Sequence, residues 1–384
     1  MTSASYSSAA VEPFEGLRIR GVAKTFGTDT TVLNEIDLDV HPGELISLVG
    51  SSGTGKSTLL RIIAGLEEPS AGRVTYAGQP LERGSVGVVF QRPILYPHLS
   101  VKDNILFPTR LGAFAGRVDM DYYRELLEAL KLEGLESRKP SQLSGGQAQR
   151  VGIARALIRR APVVLFDEPL ASVDEQMSAS IRADIVRLHE RYGFTGLYVT
   201  HDQNEALMLG QRVAVMDAGY LVQVDTPERL LAHPHTLQVA KLMAAPALNL
   251  LALEDSESLP VGCELAIRAT ALCPVVADAA YALPVLVLGS RHLVGGMLYR
   301  AHLLEAVSLP LESRRASADS ELSARMCARV RAGQELEFFI SDAQGATLSG
   351  TSPNSTFLSA GERVHLGVAA ERCFLFSGGK RFYL

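Results

Sequence analysis

The sequence predicts an α/β domain followed by a small all-β barrel domain. From Leu17 to about Ala245, short apolar runs alternate with amphipathic helical patterns, as in α/β proteins. After Pro246, short apolar runs recur about every ten residues with turn glycines between them, which is typical of a small antiparallel barrel. The length of 384 residues is sufficient for two domains. We therefore expect domains at residues 17–245 and 246–384.

Five periodic segments define the α/β domain. Glu44–Val49, Val163–Phe166 and Gly196–Thr200 are apolar runs of strand length, and we interpret them as buried strands. Lys56–Leu66 and Met177–Tyr192 each place their apolar residues on one helical face. This alternation of strands and helices predicts a parallel sheet.

An inserted helical subdomain is expected between the first helix and the second of these strands. Residues 92–160 have mostly helical patterns, of which Arg124–Leu132 is the clearest. In the second domain, the polar segment Glu312–Glu321 predicts a loop, and six short apolar runs predict strands. These runs are Leu265–Ile267, Val285–Leu288, Leu293–Tyr299, Leu336–Ile340, Val364–Val368 and Cys373–Phe376.

Composition and charge exclude several classes of protein. The chain carries 37 Lys and Arg residues against 42 Asp and Glu residues, a net charge of −5, without blocks of like charge. This balance argues against binding through phosphate neutralisation, so we expect no nucleic-acid partner. Hydrophobic residues make up 47% of the chain, too many for a disordered protein. The chain is therefore expected to bury a sizeable core.

Three further features bear on cellular location. Residues 1–16 contain neither Lys nor Arg and no continuous apolar run, so we interpret them as a frayed leader rather than a targeting peptide. The most apolar stretch, residues 269–290, contains Asp278 and two prolines, so we expect no transmembrane helix. The cysteines lack metal-ligand spacing, which favours free thiols in a reducing compartment. They are Cys263, Cys273, Cys327 and Cys373.

A glycine-rich loop joins the first predicted strand to the first predicted helix. Residues 50–57 read Gly-Ser-Ser-Gly-Thr-Gly-Lys-Ser, which fits the pattern G-x-x-x-x-G-K-[ST]. Its glycines allow backbone N–H groups to surround a phosphate at the helix N-terminus. Lys56 can reach the outer phosphates, and the Ser57 hydroxyl can ligate Mg²⁺. The strand and helix on either side favour nucleotide binding over a purely structural turn.

Two carboxylates follow the second strand. Asp167 and Glu168 end the run VVLFDE, at the edge where parallel sheets bind ligands. Adjacent residues at a strand end point in different directions, so Asp167 suits a Mg²⁺ shell and Glu168 suits a base that orients or deprotonates water. An acidic pair alone is usually a turn or a helix cap, but the preceding phosphate loop favours the catalytic interpretation.

A second glycine pair precedes another helical run. Leu143–Gln147 reads Leu-Ser-Gly-Gly-Gln before a helix predicted at Ala148–Ile158, which places a hydroxyl and two glycine amides at a helix N-terminus. One chain needs only one phosphate cradle. We therefore expect this second anion site to close over nucleotide held by another copy of the chain. The alternative is a serine cap after a tight turn.

Together these motifs resemble the nucleotide-binding subunits of ATP-binding cassette (ABC) transporters, whose order and spacing they share. The resemblance implies a P-loop ATPase that binds ATP and Mg²⁺ and acts as a dimer. The motifs that carry it are Gly50–Ser57, Gln91, Leu143–Gln147, Asp167 with Glu168, and His201.

The same resemblance assigns roles to single residues. Phe26 stands where the family has an aromatic ring that stacks on adenine, His201 where it has a histidine that touches the γ-phosphate, and Asp174 where it has an aspartate that signals across the dimer. The implied catalytic residues are Lys56, Gln91, Glu168 and His201. The implied magnesium ligands are Ser57, Gln91 and Asp167. The implied nucleotide contacts are Phe26, Gly50, Ser51, Ser52, Gly53, Thr54, Gly55, Lys56, Ser57, Thr58, Ser144, Gly145, Gly146, Gln147 and Asp174.

Finer resemblance covers nearly the whole chain and points to importers of sugars and sn-glycerol 3-phosphate. Ile94–Val101, Leu197–Ala206 and Ala245–Leu251 carry it. The implied partners are a second copy of the chain, two integral-membrane permease subunits and, through the complex, a periplasmic or extracellular solute-binding protein. The implied location is the cytoplasmic face of the cell membrane. ATPases of iron(III), polyamine and sulfate importers share this plan and remain alternatives for the solute.

The C-terminal domain resembles the OB-like (TOBE-type) regulatory module of that family. It departs from the family at Arg268-Ala269-Thr270, where Arg-Pro-Glu is characteristic. Because it lacks a paired carboxylate site and a basic stripe, we expect it to contact the same domain of the second copy. An ABC-type ATPase acting on DNA or ribosomes is an alternative function, but neither coiled-coil heptads nor a second phosphate loop occurs in the sequence.

Overall fold

The computed structural model divides into two compact units, Met1–Pro227 and Glu228–Leu384. Within the residues that it describes, no helix is long and apolar enough to cross a membrane. The expected leader falls almost entirely outside those residues. The described ranges are 14–111, 118–244, 247–253, 263–275, 283–293, 296–304, 307–310, 327–330, 332–341, 358, 360, 363–367 and 373–382.

The first unit consists of two sheets with helices around them. Its described strands are β1 (Leu17–Phe26), β2 (Thr30–Val40), β3 (Leu45–Val49), β4 (Ala71–Tyr76), β5 (Gln79–Pro80), β6 (Gly87–Val89), β7 (Val163–Asp167), β8 (Thr195–Thr200), β9 (Arg212–Asp217) and β10 (Tyr220–Asp225). Its described α-helices are α1 (Lys56–Ile63), α2 (Val101–Leu106), α3 (Met120–Ala129), α4 (Gly145–Leu157), α5 (Glu175–Tyr192) and α6 (Gln203–Leu209).

The central sheet has six strands in the order β10-β9-β3-β8-β7-β6. All neighbours are parallel except β10, which runs antiparallel to β9. Strands β3 and β8 are buried along their whole length, as expected at the centre of a sheet covered on both faces. The α/β fold and the three predicted strands are therefore confirmed. The carboxyl ends of β3, β7 and β8 meet at one edge, where the predicted functional loops begin.

A second, antiparallel sheet in the order β2-β1-β4-β5 was not expected from the sequence. In β1, Leu17 and Ile19 are buried, whereas Arg18 and Arg20 bind Asp39 on β2. The buried residues join a core shared with β3 and α1. Their alternation with charged residues is a period-two signal, which a search for continuous apolar runs overlooks.

The expected helical insertion at residues 92–160 contains α2, α3 and α4. These helices contribute Ile105, Leu126 and Val151 to one core together with α5. Helix α3 begins at Met120, earlier than predicted, because the Asp119 side chain accepts hydrogen bonds from two backbone N–H groups of the first turn. A charged cap of this kind lies outside the apolar periodicity from which the helix was predicted.

The second unit begins with two helices, α7 (Pro227–Ala232) and α8 (Leu237–Leu242). Its described strands form antiparallel sheets in the orders β11-β12-β20-β21, β13-β19-β14-β15-β18 and β16-β17. They are β11 (Leu248–Ala252), β12 (Glu264–Arg268), β13 (Cys273–Val275), β14 (Leu283–Leu293), β15 (Gly296–Leu303), β16 (Val307–Pro310), β17 (Cys327–Val330), β18 (Glu335–Ser341), β19 (Arg363–Gly367), β20 (Cys373–Ser377) and β21 (Lys380–Phe382).

The division between the units lies between Pro227 and Glu228, earlier than the expected boundary after Ala245. Helix α8 belongs to the second unit because Ala240 packs in a cluster with Phe374. The helical pattern therefore continues past the division, and the change of pattern in the sequence marks the end of α8 rather than the end of the first unit.

Details of the second unit differ from the prediction in places. The run Leu293–Tyr299, predicted as one strand, is divided, because β14 ends at Leu293 and pairs there with Gly296 at the start of β15. Cys263 is a buried free thiol. The side chains of the other three cysteines and the loop predicted at Glu312–Glu321 lie outside the described residues.

Candidate active site

The glycine-rich loop at residues 50–57 connects β3 to α1 as predicted. Helix α1 begins at Lys56, and the preceding Gly55 has a φ of +97°, a conformation that favours glycine. A Cβ atom at Gly55 would lie 2.7 Å from Leu33 Cδ2, and one at Gly50 would clash with Met216 O. Close packing around the loop thus requires glycine at both positions. Without side chains there, the loop backbone lies directly against Leu33 and Met216.

Lys56 is buried at this loop. Its Nζ donates hydrogen bonds to the carbonyl oxygens of Gly50 (2.8 Å) and Ser51 (2.9 Å). Burial lowers the pKa of Lys56, while the nearby carboxylates of Glu168 and Asp167 act in the opposite direction. An ammonium group that is partly desolvated and held in one place interacts strongly with an added anion.

The other residues of the loop differ in exposure. Ser51, Ser52 and Gly53 are exposed, whereas Thr54 is buried and donates a hydrogen bond to Ser51 O at 3.0 Å. Thr58 is partly buried in the first turn of α1. A ligand can therefore approach the middle of the loop, while its two ends are fixed by the core.

Ser57 and Asp167 meet beside the loop. The Ser57 hydroxyl donates a hydrogen bond to Asp167 Oδ1 at 3.3 Å. Burial raises the pKa of Asp167, the Ser57 hydrogen bond lowers it, and the Glu168 charge raises it further. A hydroxyl and a carboxylate oxygen are hard donors of the kind that Mg²⁺ prefers, and Mg²⁺ commonly takes its remaining ligands from water and substrate phosphates. The residue pair therefore fits a magnesium ion.

Gln91, the third expected magnesium ligand, does not join this pair. It follows β6, its side chain is exposed, and it makes no hydrogen bond among the described residues. No group of three or more His, Cys, Asp or Glu side chains in the described ranges has the arrangement of a metal site. Ligation by Gln91 stays a prediction.

Glu168 and His201 form the second pair of the site. His201 Nδ1 lies 3.0 Å from Glu168 Oε2, and His201 is the more exposed of the two. Glu168 has a φ of +43°, which is uncommon for a residue other than glycine. Its backbone N–H donates a hydrogen bond to Val199 O on β8 at 2.9 Å. A strained residue that is held by its neighbours often marks a functional site, and here it fixes the carboxylate at the sheet edge.

Glu205 supports the loop of His201 and was not expected from the sequence. This buried side chain accepts hydrogen bonds from Tyr198 Oη (3.1 Å) and Thr200 Oγ1 (2.8 Å). Thr200 in turn accepts a hydrogen bond from the Asp202 backbone at 3.0 Å. These contacts fix the residues on both sides of His201. The available signal was a glutamate on the inward face of α6, beside the buried Ala206.

The second predicted anion site lies at the N-terminus of α4. Ser144 Oγ accepts a hydrogen bond from the Gln147 backbone at 3.3 Å, and Gln147 Oε1 accepts one from the Ser144 backbone at 3.0 Å. Gly145 has open space at its Cβ position, whereas a Cβ atom at Gly146 would clash with Met177 on α5. The serine cap considered as an alternative is therefore present, and it leaves Gly145 accessible.

Asp174 and Phe26, which are predicted to contact nucleotide, belong to neither the Ser57–Asp167 pair nor the Glu168–His201 pair. Asp174 caps α5, where its Oδ1 accepts a hydrogen bond from the Met177 backbone at 3.0 Å. Phe26, at the end of β1, has an exposed ring, and Lys24 Nζ lies 4.9 Å from the ring centroid. An exposed ring at the rim of the unit is available for stacking on a flat ligand.

Comparisons with known proteins agree with this geometry. A family model described as ABC transporter matches residues 33–171. The sn-glycerol-3-phosphate import ATP-binding protein UgpC 1 of Rhizobium johnstonii is 45% identical over 241 residues, 61% of this chain and 65% of that protein. UgpC of Yersinia enterocolitica is 45% identical over 243 residues, 62% of this chain and 67% of that protein. The solved structure of cbiO1 from Clostridium perfringens, part of the ABC transporter complex cbiONQ, is 28% identical with a TM-score of 0.51, covering 56% of this chain and 90% of that chain.

The similarity includes part of the candidate site. The region that matches the family model contains the phosphate loop, the second predicted anion site, Asp167 at the end of β7 and the following Glu168, whereas His201 lies beyond it. Because this chain also shares 45% of aligned residues with a relative of which it covers 67%, it belongs to the ATP-binding proteins of the ABC transporter family.

Proposed function

We propose that the chain is the ATP-hydrolysing subunit of an ABC importer and powers solute uptake through a separate membrane permease. The observation that carries this proposal is the convergence of Lys56, the Ser57–Asp167 pair and the Glu168–His201 pair at one edge of the parallel sheet. The proposed solute is a sugar or sn-glycerol 3-phosphate, because the relatives described above are sn-glycerol-3-phosphate import proteins.

Phosphoryl transfer to water depends on positioning and charge stabilisation. Lys56 holds the outer phosphates of ATP against the loop. Glu168 orients the attacking water and accepts its proton, since the strained backbone and His201 fix the position of its carboxylate. His201, the more exposed partner, contacts the γ-phosphate. Ser57 and Asp167 would hold Mg²⁺, which would supply positive charge to the phosphate oxygens.

Two copies of the chain complete each site in this proposal. The hydrogen bonds of the Ser144 side chain and of Gln147 stay within the first turn of α4, and Gly145 is open. The helix N-terminus can therefore receive the γ-phosphate of ATP bound by the partner. Phe26 stacks on adenine, and Asp174 transmits contact across the dimer.

The second unit is proposed to be the OB-like regulatory module. Its five-stranded and four-stranded antiparallel sheets support this assignment. Buried side chains from both sheets, among them Leu265 and Val285, pack in one cluster and give the unit a core of its own. We propose that it contacts the same unit of the second copy.

The proposed assembly lies at the cytoplasmic face of the cell membrane. It comprises two copies of this chain, two permease subunits and a periplasmic or extracellular solute-binding protein. Purification of the chain from membranes of its own cells, with mass spectrometry of the bound proteins, tests this assembly. We expect polytopic membrane proteins to co-purify. We also expect the solute-binding protein encoded beside this chain to stimulate ATP hydrolysis by the complex when sn-glycerol 3-phosphate or a sugar is present.

Other outcomes of that purification would contradict the proposal. Recovery with ribosomes or DNA, in place of membrane proteins, would support a non-transport ABC ATPase. Stimulation by iron(III), a polyamine or sulfate would keep the transport function and replace the proposed solute. A Lys56→Ala chain, which retains the surfaces for partners, controls for ATP hydrolysis by co-purified enzymes.

A further inference from the structure

Helix α4 is attached along one face to the segment 90–94, which follows β6. Gln149 Nε2 donates a hydrogen bond to Phe90 O at 3.2 Å. Six residues further along the helix, Arg155 Nη1 donates a hydrogen bond to Ile94 O at 2.6 Å. Backbone carbonyl groups at both ends of the segment are thus bound by side chains of α4.

Gly152 lies between these two contacts. A Cβ atom there would lie 3.8 Å from Pro93 Cβ, which is ordinary van der Waals contact. Positions 149, 152 and 155 recur every three residues, so they lie close to one face of the helix. The helix and the segment therefore lie alongside each other and are joined by two hydrogen bonds, with room at Gly152 between them, and Gln91 lies within the bound segment.

The stability of the fold does not by itself explain a glutamine at position 149. The side chain is 1% exposed, and its Oε1 is buried without a hydrogen-bond partner among the described residues. A buried polar atom left unpaired costs roughly 1–3 kcal/mol, whereas an apolar side chain of similar shape avoids that cost. Within the side-chain amide of Gln149, the Nε2 donor has a defined hydrogen-bond partner, Phe90 O, whereas Oε1 has none among the described residues.

The neighbouring residue on α4 faces a different element. Arg150 Nη2 lies 2.9 Å from Asp184 and 2.8 Å from Ser180, both on α5. Gln149 and Arg150 therefore attach α4 to two separate parts of the unit. The attachment to α5 is an ion pair with a fully buried carboxylate, while the attachment to segment 90–94 consists of side chains bound to backbone carbonyls.

We propose that Gln149 is a positioning residue that couples Gln91 to the Ser144–Gln147 site of the same chain. A displacement of Gln91 on binding of ATP and Mg²⁺ is passed through Phe90 O to α4 and reaches its N-terminus. This inference rests on the proposed function, in which Ser144–Gln147 serves ATP bound by the partner, and on the predicted role of Gln91 as a magnesium ligand beside ATP bound by its own chain. Gln149 thereby links the two ATP sites of the dimer.

Hydrogen exchange of the full-length chain tests the link without requiring a dimer. The chain is diluted until sedimentation shows monomers, and exchange is followed by mass spectrometry with and without MgATP. In the wild type, we expect ATP to slow exchange in both segment 88–94 and the first turns of α4. In Gln149→Met, ATP binding and the response of segment 88–94 should persist, while the response of α4 is lost.

Cooperativity of hydrolysis gives a second readout. The Hill coefficient for ATP should fall from a value approaching 2 in the wild type to about 1 in Gln149→Met, because the two sites then act separately. Gln223→Met, at another buried glutamine of the first unit, is the matched control and should leave both readouts unchanged. Arg155→Met removes the contact with Ile94 from a more exposed position and remains informative if Gln149→Met does not fold.

The outcomes separate this inference from the proposed function. A wild-type response of α4 in both Gln149→Met and Arg155→Met would overturn the link. So would a wild-type chain that binds and hydrolyses ATP without any response in α4, although the proposed function would then stand. A chain that does not bind ATP would overturn the proposed function and this inference with it.

Discussion

Two ionisable residues of the site, Lys56 and Asp167, lie where burial disfavours their charged forms. The pKa of Lys56 is lowered by burial despite two nearby carboxylates. The pKa of Asp167 is raised by burial and by the Glu168 charge, despite its hydrogen bond with Ser57. Such groups reduce the stability of the nucleotide-free chain, but they are poised to interact with a charged ligand.

Replacement of Asp167 tests this conflict between stability and function. A carboxyl group whose pKa is raised by folding contributes stability at low pH and loses that contribution as the pH rises through the folded pKa. We therefore expect Asp167→Asn to have a higher Tm than the wild type at neutral pH without nucleotide, with a difference that shrinks as the pH falls and Asp167 becomes protonated. A gain of about 1 kcal/mol would raise Tm by about 2–4 °C in a unit of this size.

Calorimetry at several pH values measures this difference. Asp217→Asn, at the end of strand β9 in the same sheet, controls for the substitution itself. A lower Tm for Asp167→Asn at neutral pH would show that the Asp167 charge stabilises the fold, contrary to the direction expected from its raised pKa.

Glu168→Gln tests the proposed base. The substitution keeps the size of the side chain and the phosphate loop but removes the carboxylate, so we expect intact ATP binding and a fall in turnover of about 10²–10⁴-fold. The variant should accumulate as an ATP-bound dimer in gel filtration. Turnover at the wild-type rate in the reconstituted complex would remove Glu168 from the catalytic role.

Motif spacing predicts the residues of the proposed ATP site better than the residues that support them. Lys56, Ser57 and Asp167 follow from strand ends and glycine-rich loops, and the structure brings them together. Glu205 and Gln149 have no such signature, because their importance arises from contacts that form only in the fold. For Gln149 the contact joins residues that are 59 positions apart in the chain.

At the level of elements, helix α4 has three roles in the first unit. Its N-terminus carries the second proposed anion site, one face binds segment 90–94, and another pairs with α5. The N-terminal turn is closed by the reciprocal hydrogen bonds of Ser144 and Gln147. A substitution in this turn therefore affects both the capping of the helix and the anion site.

Ser144→Arg distinguishes two properties: the contribution of Ser144 to the ATP site of the partner, and the binding of ATP by the phosphate loop of its own chain. The added side chain fills the anion site, so hydrolysis should be abolished, while ATP still binds to the intact phosphate loop of the monomer. Ser144→Ala controls for loss of the cap, which costs about 1 kcal/mol of stability. Isothermal titration and an ATPase assay measure the two properties. Hydrolysis at the wild-type rate by Ser144→Arg alone would contradict a role for Ser144 in the site.

The prediction of elements succeeded where burial was uniform and failed where it alternated. Strands β3, β7 and β8 are continuous apolar runs because both faces of the sheet are covered. Strand β1 alternates apolar and charged residues, and only its pairing with β2 shows that it forms a sheet. The β14–β15 hairpin was likewise missed, because apolar residues continue on both sides of its turn.

At the level of the whole molecule, the family was recognised correctly from the sequence, whereas the boundary expected after Ala245 differs from the division into compact units after Pro227. A truncation after Leu253, shortly beyond the boundary expected from the sequence, would keep α8 and β11 but remove β12 and Phe374, against which they pack. A chain ending at Pro227 follows the observed division and keeps every residue of the proposed site.

We expect the chain ending at Pro227 to bind ATP, and to self-associate less than the full chain when nucleotide is absent. The reason is that the second unit, in the proposed function, holds two copies together and raises the local concentration for the next closure. Equilibrium sedimentation of both chains without ATP is the measurement. Equal self-association would show that the second unit does not tether the dimer.

Hydrolysis of ATP between two copies of the chain is the core of the proposed function, and the rate of hydrolysis per chain at increasing protein concentration tests it. The measurement spans the range in which sedimentation shows monomers becoming dimers, with Lys56→Ala as the blank. Since Lys56 and Glu168 come from one copy and Ser144 from the other, we expect a rate per chain that rises with the dimer fraction and vanishes in the monomer. A rate per chain that stays constant down to the monomer would contradict hydrolysis at a shared site.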